Sequence, residues 1–173
     1  VGALTMLAPD EISDFESYRK KRQQREVKPH RVSDTLEAAK KRFRLAPEQP
    51  CENHFLMEYM AYHSLKKVDN GWVWKFDPRI LGPDEERSSD WWQSLSNRFA
   101  SITLPRAVIY GEHSQMFSRR AADYIRSNTS DNIPMVQIKN AYHHIMLDQP
   151  LAFSSAIDAL LQGFLDVDSN SEV

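Results

Sequence analysis

The stretch that most constrains this chain is Ile133-Pro-Met-Val-Gln-Ile-Lys-Asn-Ala-Tyr-His-His-Ile-Met-Leu-Asp-Gln-Pro150. Its apolar first part is typical of a buried strand, and a pair of histidines follows in a predicted turn. The Asp-Gln-Pro end predicts the entry into a helix. Because open α/β sheets place their chemistry at the carboxyl ends of strands, this stretch predicts a functional histidine at a sheet edge.

The rest of the chain predicts an α/β fold in which about three parallel strands accompany a long helical insertion. Val1–Leu7 is an apolar run typical of a central parallel strand, and two strand–helix units follow Leu104. The predicted helices between the first strand and Leu104 are Glu11–Val27, 34–43 behind the capping box Asp34-x-x-Glu37, Glu52–Leu65 and Asp90–Phe99. An Asp69-Asn-Gly71 turn is followed by Trp72–Phe76, a short strand or extended segment. After Leu104 the predicted elements are strands Ala107–Tyr110 and Pro134–Ile138 and helices Phe117–Ser127 and Leu151–Leu165.

This pattern predicts four regions: a core strand and loop at 1–10, a helical insertion at 11–100, a βαβα core part at 101–166 and a frayed polar tail at 167–173. Three parallel strands covered on both faces would leave an inner edge unpaired. The chain also begins with Val1 and not with Met. Both observations favour a sheet with further strands upstream.

Composition excludes several classes of protein. The 173 residues carry a net charge of −2, which favours neither nucleic acid nor an anionic membrane. Two basic runs, Arg19–Arg25 and Lys40–Arg44, are interleaved with acidic residues, which is typical of a solvated helix face. No apolar run approaches the ~20 residues of a membrane span, and no signal peptide is visible. Cys51 is the single cysteine, which excludes an intrachain disulfide and favours a reducing, cytoplasmic location.

Several segments together resemble the α/β-hydrolase family. Arg42-Phe-Arg-Leu-Ala-Pro-Glu-Gln-Pro-Cys-Glu-Asn53 is similar to a signature in the lid region of that family, and Tyr62-His-Ser-Leu65 and Gly71-Trp-Val-Trp-Lys-Phe-Asp-Pro78 follow it in the family's order. The resemblance implies that residues 11–100 form the lid of a hydrolase. It also implies that the remainder is a partial α/β-hydrolase sheet.

The family pattern at the last strand is a histidine, about three apolar residues, an acidic residue and then x-Pro. Counting back from Pro150 makes His143 the counterpart of the catalytic histidine, with His144 at the first apolar position. An imidazole that titrates near pH ~6.5 can take a proton from a nucleophile and return it to the leaving group. A Gly normally precedes this histidine, and here Tyr142 stands there.

The acid of the triad departs from the family pattern. A Gly-Glu-x-Asp sequence usually ends the strand that corresponds to Ala107–Tyr110, but this chain has Gly111-Glu-His-Ser114. Ser114 carries no charge with which to stabilise an imidazolium. Some relatives carry the acid after the earlier strand, where this chain reads Ala8-Pro-Asp10. The resemblance therefore implies Asp10 as the first candidate for the acid and Glu112 as the second.

The nucleophile is missing from the chain, because no Gly-x-Ser-x-Gly motif occurs. The expected function is the C-terminal part of a hydrolase of a small, apolar, ester-like substrate, inactive without an upstream nucleophile. Two alternatives stay open: an epoxide hydrolase or haloalkane dehalogenase with an upstream Asp nucleophile, and a non-enzymatic binding module. No cofactor is expected. His113, His143 and His144 lack the motifs and carboxylates of a metal site, so no metal is expected either.

Overall fold

The computed structural model describes residues 23–81, 97–129 and 132–170, together with Lys20 and Ser94. The chain divides into two compact units, Glu11–Ser89 in one and Val1–Asp10 with Asp90–Val173 in the other. We call the described parts the hairpin unit (residues 23–81) and the sheet unit (residues 97–129 and 132–170). Among the described residues, no helix is both long enough and apolar enough to cross a membrane. The predicted strand Val1–Leu7 lies outside the described residues.

The hairpin unit begins with two helices whose first turns are capped by side chains. Helix α1 spans Leu36–Lys40, and helix α2 spans His54–His63. Thr35 Oγ1 accepts a hydrogen bond from the Ala38 N–H at 3.1 Å, and Asn53 Oδ1 accepts one from the Leu56 N–H at 3.3 Å. Both bonds satisfy N–H groups that a helix start leaves without an intrahelical partner.

The predicted capping residue of α1 was wrong by one position. Thr35 has the extended backbone of a cap, so its hydroxyl replaces the predicted Asp34 carboxylate, and the helix ends at Lys40 instead of Phe43. The first predicted helix, Glu11–Val27, also ends before Val27. Lys20 and Gln23 are helical, but residues 25–32 form neither helix nor strand. Pro29 disfavours a helical backbone at Lys28.

The two helices are followed by an antiparallel hairpin of β1 (Leu65–Val68) and β2 (Gly71–Trp74). The Asp69-Asn70 turn is confirmed, and Gly71 has φ of +142°, a value that L side chains rarely adopt. Strand β1, the partner of β2, was not predicted. The predicted helix extended to Leu65, but the helix ends at His63 and Leu65 pairs with Trp74. A short 3₁₀ helix at Pro78–Leu81 follows the hairpin.

The sheet unit contains the predicted strand–helix pairs. Strand β3 (Val108–Gly111) lies parallel to β4 (Met135–Ile138), with Val108 opposite Met135 and Gly111 opposite Ile138. Helix α3 (Arg119–Asn128) connects the two strands, as a parallel crossover requires. A short helix α4 (Ile145–Asp148) and a long helix α5 (Pro150–Asn170) follow β4.

Both faces of the two-stranded sheet are covered. Val108 and Tyr110 of β3 pack with Ala121 and Ile125 of α3 on one face. On the other face, Ile109 and Val136 pack against a cluster that includes Ile138, Ala141 and Ile145, together with Phe153 and Ala156 of α5. Successive strand side chains point to opposite faces, so an almost wholly apolar strand such as Val108-Ile-Tyr110 can be buried on both sides.

Helix α5 continues beyond its predicted end. We expected the helix to stop at Leu165 and a frayed tail to follow, but the helical backbone extends to Asn170. No Gly or Pro interrupts residues 164–170, so nothing in the local sequence breaks the backbone hydrogen bonds.

Candidate active site

Two loops meet at the carboxyl edge of the β3–β4 sheet. Glu112 and Ser114 follow the end of β3, and His143 follows the end of β4 after a turn at Lys139-Asn140. Because the strands are parallel, both loops leave the sheet at the same edge. The Glu112 N–H donates to Ile138 O and the His113 N–H donates to Ala141 O, each at 2.9 Å.

Gly111 allows the two loops to approach this closely. A Cβ atom at position 111 would lie 2.1 Å from Tyr142 O and 2.5 Å from Ala141 O. Both atoms belong to the backbone and cannot swing away as a side chain would. Glycine is therefore required at the end of β3, because the backbone that leads directly into His143 passes next to it.

Two carboxylates hold the histidine loop through its backbone. Glu112 Oε2 accepts a hydrogen bond from the Asn140 N–H at 3.0 Å, and Asp148 Oδ2 accepts one from the Tyr142 N–H at 2.7 Å. Asn140 has φ of +53°, a left-handed conformation that Asn tolerates better than most residues. The turn after β4 is thus fixed on both sides of Ala141.

His143 is half-buried within this frame. Its Nδ1 lies 3.4 Å from Ser114 Oγ, and its ring centroid lies 5.3 Å from that of His144. Burial lowers the pKa of His143, and repulsion from His144 lowers the pKa further. Both effects disfavour the imidazolium. His143 is therefore held in the neutral form that a proton acceptor needs at neutral pH.

The candidate acids have different positions. Asp10 lies outside the described residues. Glu112 follows β3 as expected, but its described partners are the Asn140 N–H and the His113 ring, whose Nε2 is 3.7 Å from Glu112 Oε2. The residue that the structure brings to Nδ1 of His143 is Ser114.

Sequence reasoning missed two contributors to the site. The sequence indicates Ser114 only as a residue that cannot replace an acid, and Asp148 only as part of the spacing pattern around His143. The signal for Asp148 was its acidic side chain just before Gln149-Pro150, at a helix junction. Nothing in the local sequence indicates that its carboxylate reaches back to the backbone of Tyr142.

No metal site is visible in the part of the chain that the structure describes. Nowhere among these residues do three His, Cys, Asp or Glu side chains lie close enough to hold a metal ion. The histidines at the sheet edge contact other groups: the His113 ring packs on Tyr142, with ring centroids 5.4 Å apart.

The hairpin unit has an open cleft of about 650 Å³ beside β1 and β2. Its lining includes His30, Lys66, Trp74, Phe76, Asp77 and Arg79. Arg79 hydrogen-bonds Asp77 through its side chain and its backbone, which lowers the pKa of Asp77 to about 2. These two charges neutralise each other, and the cleft holds no histidine–hydroxyl arrangement comparable with His143 and Ser114.

The structure is similar to several solved hydrolases. An E-2-(acetamidomethylene)succinate hydrolase is 16% identical with a TM-score of 0.63; the alignment covers 96% of this chain and 56% of that chain. An M. tuberculosis esterase is 16% identical with a TM-score of 0.65, and the alignment covers 92% of this chain and 53% of the esterase. A Pseudomonas aeruginosa protein described as hypothetical is 21% identical with a TM-score of 0.60, and the alignment covers 95% of this chain and 55% of that protein.

These similarities show the fold: the chain is a partial α/β-hydrolase fold, as its resemblance to that family implied. The chain spans about half the length of the solved structures that it matches. No family model matches the sequence, and no curated protein matches it either.

Proposed function

We propose that this chain forms the lid and the C-terminal core of a hydrolase that cleaves a small, apolar, ester-like substrate by nucleophilic catalysis. The observation that carries this proposal is the position of His143. It follows the last described strand of an α/β-hydrolase fold, with its ring at the carboxyl edge of the sheet and Nδ1 3.4 Å from Ser114 Oγ. Residues at this edge are where such sheets place their chemistry.

In the proposed mechanism His143 transfers protons. Its neutral imidazole takes the proton of the attacking nucleophile and returns it to the leaving group. The lowered pKa of His143 favours the neutral ring, which the first of these steps requires. The proposal assigns the nucleophile to a part of the protein beyond these 173 residues, since the sequence has no Gly-x-Ser-x-Gly motif.

Asp10 is the proposed acid. Glu112 is second, because its carboxylate already accepts the Asn140 N–H. A carboxylate near the ring would stabilise the imidazolium that forms as the proton is transferred. Backbone N–H groups that stabilise the oxyanion would likewise come from outside this chain, so we propose that the chain by itself is inactive.

Fluorophosphonate labelling of the full-length protein tests the proposal. Wild-type protein is expected to be labelled on a serine, and His143→Ala is expected to abolish labelling because the serine loses its proton acceptor. His113→Gln is the matched control: it replaces another histidine at the same sheet edge, and labelling should persist.

Two results would contradict the proposal. Hydrolysis of an epoxide or a haloalkane without serine labelling would favour an Asp nucleophile. Absence of both labelling and hydrolysis would favour a binding module that has lost catalysis.

A further inference from the structure

Ser114 has three hydrogen-bond partners around one hydroxyl group. Its Oγ lies 3.3 Å from the Met116 backbone N and 3.2 Å from the Phe117 backbone N. The third partner is His143 Nδ1, at 3.4 Å. Ser114 is partly buried at the carboxyl edge of the sheet, so these contacts define the environment of its hydroxyl group.

The hydrogen-bonding capacity of a hydroxyl determines the direction of the third contact. A serine hydroxyl has two lone pairs and one hydrogen, and a backbone N–H can only donate. The N–H groups of Met116 and Phe117 therefore occupy both lone pairs of Oγ. The remaining hydrogen of Ser114 is available to His143, and Nδ1 must then be the unprotonated, accepting nitrogen.

We propose that Ser114 is a positioning residue that holds neutral His143 as the tautomer with its hydrogen on Nε2. A carboxylate at the same place would do the opposite. Carboxylates only accept hydrogen bonds, so an Asp would hold a hydrogen on Nδ1 and leave Nε2 free to accept a proton. In this chain the other nitrogen of the neutral ring, Nε2, is then a donor.

The consequence for catalysis rests on the proposed function. In the resting tautomer, His143 can donate from Nε2 to an oxygen, and it must change tautomer before Nε2 can take the proton of the nucleophile. In serine proteases, an amide in place of the triad carboxylate also leaves the histidine in the wrong tautomer and lowers kcat about 10⁴-fold. Asp10 could reverse the tautomer only by displacing the Ser114 hydroxyl from Nδ1.

The test is a two-bond ¹H–¹⁵N correlation spectrum of the full-length protein labelled with ¹⁵N-histidine, recorded near pH ~8 where histidine is neutral. The ¹⁵N shifts of Nδ1 and Nε2 report which nitrogen carries the hydrogen. Signals of His143 are assigned as those missing from a His143→Gln spectrum. Wild type and Ser114→Thr, which keeps the hydroxyl, should both show hydrogen on Nε2.

Two further variants separate Ser114 from its surroundings. Ser114→Ala should shift the averaged ¹⁵N signals toward a mixture of tautomers, and Ser114→Asp should move the hydrogen to Nδ1. Ser118→Ala is the matched control: Ser118 Oγ accepts the Ala121 N–H at 3.0 Å at the start of α3, and its loss should leave the tautomer of His143 unchanged. If the Ser114→Ala variant does not fold, the spectrum of Ser114→Asp alone tests the inference.

A hydrogen on Nδ1 in wild type would overturn the inference, and so would a Ser114→Ala or Ser114→Asp spectrum identical to that of wild type. These outcomes are independent of the fluorophosphonate experiment. A protein that is labelled on serine but carries hydrogen on Nδ1 would overturn this inference and leave the proposed function standing. A protein that carries hydrogen on Nε2 but neither reacts with the fluorophosphonate nor hydrolyses a substrate would overturn only the proposed function.

Discussion

Replacing Gly111 with Ala would add a methyl group where the structure has no space for it. The new Cβ would lie 2.1 Å from Tyr142 O, 2.5 Å from Ala141 O and 2.9 Å from Ala141 C. Carbon–oxygen contacts normally begin at about 3.3 Å. The end of β3 or the loop that leads to His143 must therefore move by more than about 1 Å.

The energetic cost has two parts. Overpacking by one methyl group typically costs about 1–3 kcal/mol. The same movement weakens two backbone hydrogen bonds of 2.9 Å, from the Glu112 N–H to Ile138 O and from the His113 N–H to Ala141 O. Each such bond contributes roughly 1 kcal/mol. We expect Gly111→Ala to lower the free energy of unfolding by about 3–5 kcal/mol.

Urea unfolding followed by far-ultraviolet circular dichroism measures this loss, and Gly163→Ala is the matched control. A Cβ at Gly163 in α5 would contact nothing within 4 Å. Alanine is also the better helix former by about 1 kcal/mol, so this variant should be more stable than wild type. A Gly111→Ala protein within about 0.5 kcal/mol of wild type would refute the argument that close backbone approach requires glycine here.

Three further predictions concern the groups around the same loop. Because the folded-state pKa of His143 is lowered, stability should fall as pH drops below about 6.5, where the unfolded imidazole takes up a proton. His143→Gln should flatten this dependence between about pH 8 and pH 5, and an unchanged slope of unfolding free energy would contradict the assignment. Glu112→Ala should cost about 1 kcal/mol by removing the acceptor of the Asn140 N–H. Glu112→Gln, which keeps an acceptor oxygen, should stay within about 0.5 kcal/mol of wild type by the same urea assay. Asp148→Ala should cost about 2 kcal/mol and accelerate amide hydrogen exchange at Tyr142; exchange as slow as in wild type would show that Asp148 does not hold the loop.

The elements around His143 were predictable because their signals are local. The apolar run before Lys139-Asn140 indicated β4, and the alternation of strands and helices after Leu104 indicated the sheet unit. Strand β1 was not predictable in this way. No Gly or Pro separates its first residue, Leu65, from the preceding helix, and only its pairing with Trp74 makes it a strand.

The face of α2 shows a second limit of local patterns. The spacing of Phe55, Tyr59 and Met60 is typical of a helix face that packs in a core. In the structure Phe55 is 76% exposed and Tyr59 is 53% exposed, and the buried residue of the helix is Ala61. Periodicity shows which side chains share a face of a helix, but not what covers that face.

The sequence by itself determined that this chain is α/β and that a histidine follows a buried strand at the sheet edge, because strand and turn propensities depend on neighbouring residues. Only the tertiary structure decided which groups meet that histidine. Ser114 and His143 lie 29 positions apart, and Gly111 contacts the backbone of Tyr142 across two parallel strands. Such contacts depend on the register of β3 against β4, which no single segment specifies.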